Sequence, residues 1–188
     1  DSWYRSDERS LNYYLDEGKG FLLSRLLNNI DFRDQWINRM CDYLNTGFKE
    51  SNVISLVDQI TDRISMEITR EKSRWEDTML YIPTNQRINW IKQYAKDRPI
   101  FIREHIVDYF SLRGEPKEIE VDLSKGNGSI KINNIMIDEM RWKGIYIENI
   151  PIEIEAIPNE GYKFVKWKNR KFSKSSKIVV DPKDAKKV

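Results

Sequence analysis

The sequence predicts an α+β fold: an N-terminal all-α helical bundle followed by a small antiparallel β domain. Three observations carry it. Apolar residues recur at helical spacing from position 21 to about position 110. Near position 115 the period falls to two and β-branched residues replace helix formers. Turn residues then return roughly every 8–12 positions. The change of period sets a boundary between a helical domain at 1–113 and a β domain at 114–188.

Composition supports a packed chain. Of 188 residues, 39% are hydrophobic and 33% charged, with six Trp, nine Tyr and seven Phe, more aromatic surface than a disordered chain carries. The net charge of +2 sets up no global field that demands a polyanionic partner. A single cysteine, Cys41, excludes an intrachain disulfide framework and a cysteine metal cluster. No apolar run reaches the ~18 residues of a membrane span, and no signal peptide is visible. The chain opens at Asp1 without a methionine and closes on DPKDAKKV, so a piece of a longer protein is expected.

Taken in order, residues 1–20 are polar with scattered aromatics, and 10–16 can form a short helix. The Gly-Lys-Gly at 18–20 has the centre of a phosphate-binding loop but not its upstream glycine or its following Ser or Thr, so it reads as a turn. Leu22, Leu23, Leu26, Leu27 and Ile30 mark a helix over 21–29. Asp31 is the expected N-cap of the next, with Asp34 in its first turn and Phe32, Trp36, Ile37, Met40, Tyr43 and Leu44 on one face. Gly47 is expected to close it in the left-handed conformation.

Ser51 is the expected cap of a long third helix, whose apolar positions run from Val53 through Leu56, Val57, Ile60, Ile64 and Ile68 to Trp75. A linker at 79–83 leads to a fourth helix capped by Thr84, and Pro99 is expected to end or kink it before a fifth. After Gly114 the alternation of Ile119, Val121 and Leu123, a turn at 125–128, and the alternation of Ile130 and Ile132 predict a hairpin. Further strands fit 144–147, 151–157, 162–167 and 177–180.

Few residues offer chemistry. Asp58, Asp62, Glu67 and Glu71 face one way on the third helix, but without a Glu-x-x-His repeat they read as a solvated face. His105, the only histidine, has no partner for a triad or a zinc site and reads as a half-buried helix residue. Cys41, beside the apolar face, reads as a buried, inert thiol. From Lys163 onward ten Lys or Arg face only Asp181 and Asp184, interleaved with Phe164, Trp167 and Phe172. Such a run can bind an anionic polymer, yet lysines that guard an edge strand are the simpler reading. Trp36, Tyr43, Phe48 and Trp75 are read as core packing.

The run LLNNIDFRDQWINRMCDYLNTGF, a Val-x-x-x-Val-Asp helix, Glu67-Ile68, Arg74-Trp75, Trp90 to Ala95 and Asp97-Arg98-Pro99 together resemble the C-terminal portion of the CotH kinase family, the spore-coat-protein-H-like atypical kinases. Lys72 and Ser73 stand where that family commonly has a histidine before the Arg-Trp. The β segment, from GNGSIKIN to EGYKFVKW, resembles an internalin B-repeat-like β module, with Gly161 permitting a turn and Tyr162, Phe164 and Trp167 filling the inner face of a sheet. The resemblance implies that the helices belong to a kinase-like C-terminal lobe. It also implies that the full-length protein uses ATP and Mg²⁺ to phosphorylate a protein substrate. The family's nucleotide-gripping lysine and metal-holding aspartates are expected upstream, so within this chain no catalytic, cofactor-binding or metal-binding residue is assigned, and the fragment alone is expected to be inactive. A bacterial secreted, cell-surface or spore-coat location is implied by the same likeness. The alternative is a cell-surface attachment or glycan-binding module without enzymatic activity; nucleic acid is not expected as a partner.

Overall fold

The computed structural model describes residues 5–15, 20–78, 81–123, 127–167, 169, 172 and 174–185. Among these residues six helices come first: α1 (Ser10–Leu15), α2 (Phe21–Leu26), α3 (Ile30–Asn45), α4 (Glu50–Arg63), α5 (Ser65–Trp75) and α6 (Thr84–Tyr109). Six strands come after them: β1 (Pro116–Asp122), β2 (Gly128–Ile132), β3 (Ile135–Ile137), β4 (Arg141–Ile147), β5 (Ile152–Pro158) and β6 (Lys177–Val180). The expected α+β class is the one observed.

Local chemistry moves several helix ends. Helix α2 stops at Leu26, short of Asn29, because Asn29 is the N-cap of α3: its side-chain oxygen accepts the Phe32 amide at 3.0 Å. Asp31, the expected cap, lies one residue inside the helix and favours its positive N-terminus. At the other end Gly47 has no left-handed backbone, and the Thr46 hydroxyl donates to the Asp42 carbonyl at 2.7 Å to close the last turn.

The long third helix is two helices. The backbone at Ile64 turns away (φ −101°, ψ 9°), separating α4 from α5. Ser51 lies inside α4 rather than capping it, and the Asn52 amide reaches back to the Thr46 carbonyl at 2.8 Å. The expected fourth and fifth helices, conversely, are one. Helix α6 runs through Pro99, although a proline inside a helix costs about 3 kcal/mol. Tertiary bonding offsets that cost. Arg98 donates to the carbonyls of Ser6 (2.8 Å) and Glu8 (2.6 Å), holding the 5–10 segment against α6, and Arg103 donates to the Asn45 side chain of α3 at 2.8 Å.

Two antiparallel sheets cover one side of the helices, one of order β1-β4 and the other of order β3-β2-β5-β6. The expected hairpin between the first two strands does not form. β1 instead pairs with β4 in the register Ile119↔Gly144 and Val121↔Trp142. The hairpin in this region joins β2 to β3 across Asn133-Asn134, with Asn133 at φ 48°, the backbone that a two-residue turn demands. Residues 162–167, expected as a strand, have no strand pairing, and Gly161 supplies a left-handed turn (φ 81°) just before them. Part of the expected turn at 125–128 lies outside the described residues, as do 16–19, with most of the Gly-Lys-Gly, and the start of the 79–83 linker.

One core serves both layers. Ile37, Cys41 and Leu44 of α3 and Ile106 of α6 join Ile119, Ile132, Tyr146, Ile152 and Ile154 from the sheets in a single buried cluster. Strand β4 packs closely there, for the Trp142 ring lies over Gly144, and a β-carbon at that position would sit 2.1 Å from the ring. Gly144→Ala should therefore destabilise the protein by about 1–3 kcal/mol. Gly47→Ala, where a β-carbon meets nothing within 4 Å, should leave stability within about 0.5 kcal/mol of the parent. Urea denaturation of the two variants checks both.

Candidate functional site

Helix α3 presents two polar residues one turn apart, Asp42 and Asn45, on its otherwise apolar face, and both are buried. Asn45 meets the backbone of β4 as a neighbouring strand would: its amide nitrogen donates to the Ile145 carbonyl at 3.0 Å and its amide oxygen accepts the Ile145 N–H at 2.9 Å. The same oxygen accepts from Arg103 of α6 at 2.8 Å. Asp42 accepts from the hydroxyl of the fully buried Tyr146 at 2.8 Å and from Asn133 at 3.2 Å. Asn133 in turn accepts the Glu153 amide at 2.9 Å. Arg103 has no carboxylate in ion-pair reach among the described residues, and burial lowers its pKa. Burial likewise raises the Asp42 carboxyl above its usual value, although the bonds from Tyr146 and Asn133 pull the other way. This network fastens helix to sheet. Chemically it can hold a proton.

A second feature lies on the far side of the helices. Neither α4 nor α5 contains a buried residue. Val57, Ile60, Ile64, Ile68, Ile88 and Ile91 line an open groove of about 480 Å³ between these helices and the first half of α6. The apolar stripe foreseen for the third helix is thus real as a pattern but incompletely covered. Tyr43, Phe48 and Trp75, expected in the core, are about half exposed; only Trp36 packs inward, edge-on to Phe110.

Three of the four carboxylates named on that helical arm, Asp58, Glu67 and Glu71, each have a basic partner of their own. Asp58 pairs with Lys92, Glu67 with Arg70 at 2.6 Å, and Glu71 takes Arg87 and the Thr84 hydroxyl, which hold its carboxyl below the usual value. Among the described residues no three His, Cys, Asp or Glu side chains come together to hold a metal ion. His105 is more buried than expected, at 4% exposure, and burial together with nearby Arg9 and Arg98 lowers its pKa. Cys41 is the buried, inert thiol expected, its pKa pushed up to about 12 by burial. The Asp42–Asn45–Arg103–Tyr146 network carried no motif. Its one signal in the sequence was a pair of polar residues at i and i+3 on a helix face that otherwise reads as core.

The family model for the CotH kinase protein matches residues 3–102, from the segment before α1 well into α6. The chain belongs to the CotH kinase family. That match covers the helical groove, Asp42 and Asn45, and stops before the sheets. No curated protein and no solved structure matches the chain. The described residues of this CotH chain offer no donor set that fits a divalent metal, so no catalytic step is derived through one.

The buried network gives a signed pH dependence. With its folded pKa raised, Asp42 binds its proton more tightly in the folded state than in the unfolded one. Its contribution to stability therefore falls as pH rises from the ordinary carboxylate range through the raised value. Asp42→Asn keeps an acceptor for Tyr146 and should flatten that part of the profile when unfolding is followed from about pH 4 to about pH 7. Tyr146→Phe, which removes a donor to a buried carboxylate, should cost about 1.5–3 kcal/mol at neutral pH.

Proposed function

We propose that this chain is the scaffold portion of a CotH-like atypical protein kinase that, at full length, transfers a phosphoryl group from ATP to a protein with the help of Mg²⁺. The nucleotide-gripping lysine and the metal-holding aspartates belong, in this reading, to sequence upstream of the helices, and the present chain does not catalyse by itself. The observation that carries it is the family match across the helical layer. The groove between α4, α5 and α6 supports it, because an amphipathic helix draws most of its stability from packing its apolar face against another element. The family's association with the spore coat favours an extracellular or surface location. A non-enzymatic surface-attachment or glycan-binding role is the second reading, and the lysine-bearing loop between β5 and β6 favours it.

Isothermal titration calorimetry with ATP and Mg²⁺ separates the two. This chain should give no binding heat, whereas the same polypeptide lengthened at its N-terminus through the natural sequence should bind ATP in a Mg²⁺-dependent manner. A folded, lengthened protein that ignores ATP overturns the kinase reading.

A further inference from the structure

Strands β5 and β6 are antiparallel neighbours, with Glu155 opposite Lys177, and a turn of a few residues would join them. The chain instead spends residues 159–176 on the connection. Connections of that length are usually either functional or simple linkers. This one is anchored. Trp167 is buried at 7% exposure, its indole N–H donates to the Ser175 carbonyl at 2.8 Å, and Phe164 packs on its ring with centroids 5.1 Å apart. Across the base, the Ala156 amide donates to the Ser176 carbonyl at 2.8 Å.

The charge on the connection is one-sided. Between residues 161 and 180 the sequence has seven Lys or Arg and no Asp or Glu; because the whole chain carries +2, everything else sums to −5. Lys177 is neutralised by Glu153 at 2.7 Å. Lys163, Lys166 and Lys174 are exposed, and no carboxylate among the described residues pairs with any of them. Guarding an edge strand does not account for these three, since Lys163, Lys166 and Lys174 all lie outside the strands. Three ammonium groups without a carboxylate partner on an anchored loop form a local positive field on a chain that is otherwise slightly acidic.

The aromatic residues decide which polyanion fits. A single-stranded nucleic acid surface needs exposed rings on which bases stack. Here Trp167 is turned inward, Phe164 packs on it and Phe172 is half-buried against the core; Tyr162 alone of the loop's rings is well exposed. Three lysines with a single exposed ring, rather than a row of them, suit a polymer that carries negative groups but no bases. We infer that Lys163, Lys166 and Lys174, all described residues of the β5–β6 connection, form a docking surface for an anionic polysaccharide, contacted through its carboxylate, sulfate or phosphate groups. This surface is independent of kinase competence.

The test titrates the full chain with dextran sulfate and with poly(dT) at matched charge, at low salt and at ~0.15 M salt. Dextran sulfate should bind, weaken steeply with salt, and bind more tightly than poly(dT). The triple variant Lys163→Gln/Lys166→Gln/Lys174→Gln should lose roughly tenfold or more in affinity for it. The control triple Arg63→Gln/Lys72→Gln/Lys96→Gln, which removes equal charge from the helices, should keep the parental affinity. Equal loss in the control would assign binding to net charge and overturn the proposal. Tighter poly(dT) binding would make this a nucleic-acid surface, and no binding at low salt would remove the surface altogether. An unchanged melting temperature and Trp fluorescence spectrum show that the loop variant remains folded.

Discussion

The two hydrogen bonds between the Asn45 side chain and the backbone of Ile145 dock helix α3 onto strand β4 within the shared core. A helix cannot pair with a sheet edge through its own backbone, whose groups are already committed within the helix. A primary amide presents an N–H donor and a carbonyl acceptor side by side, so Asn45 completes β4 on the side where β1 is not. Trp142 and Tyr146, four residues apart, share one face of β4 and are both buried. Asp42, one turn before Asn45, meets the Tyr146 hydroxyl.

This arrangement makes the junction between helices and sheets unlike a linker. The buried cluster passes from Leu11 through α3 to Ala185 without a break, and Asp42 and Asn45 accept hydrogen bonds across the junction from Tyr146, Asn133 and the Ile145 amide. The family match nevertheless ends at residue 102. The sheets lie beyond the family's shared pattern, yet in this protein they cover a face that the pattern provides. The opposite face of the helical layer, along α4 and α5, stays open.

How much of this was legible in the sequence depended on the range of the interaction. The change of period near position 115, the alternation of Ile152 and Ile154 and the strand at 177–180 arise from local pattern and appear as read. Pro99 misled because the local penalty is real but is outweighed by Arg98 and Arg103, whose partners in the 5–10 segment and on α3 are fixed by tertiary packing. The break at Ile64 was hidden because the apolar stripe continues across it. The pairing of β1 with β4 was unreadable, since the turn signal after Leu123 suggests the nearer strand. Asp42 and Asn45 looked like ordinary helix polar residues; only their position on the face shared by Ile37, Cys41 and Leu44 distinguishes them.

The sequence distance spanned by the Asn45 bonds bears on the order in which the protein is made. Ile145 lies 100 residues after Asn45. During synthesis α3 emerges early, but its partner strand leaves the ribosome only several seconds later at ~5–20 residues per second. Throughout that interval Ile37, Cys41 and Leu44 have no sheet to cover them, and Asp42 and Arg103 remain in water. The nascent helical layer is therefore a sticky, half-finished surface until β4 arrives, and the sheets, though last to appear, are what end its exposure to chaperones and proteases.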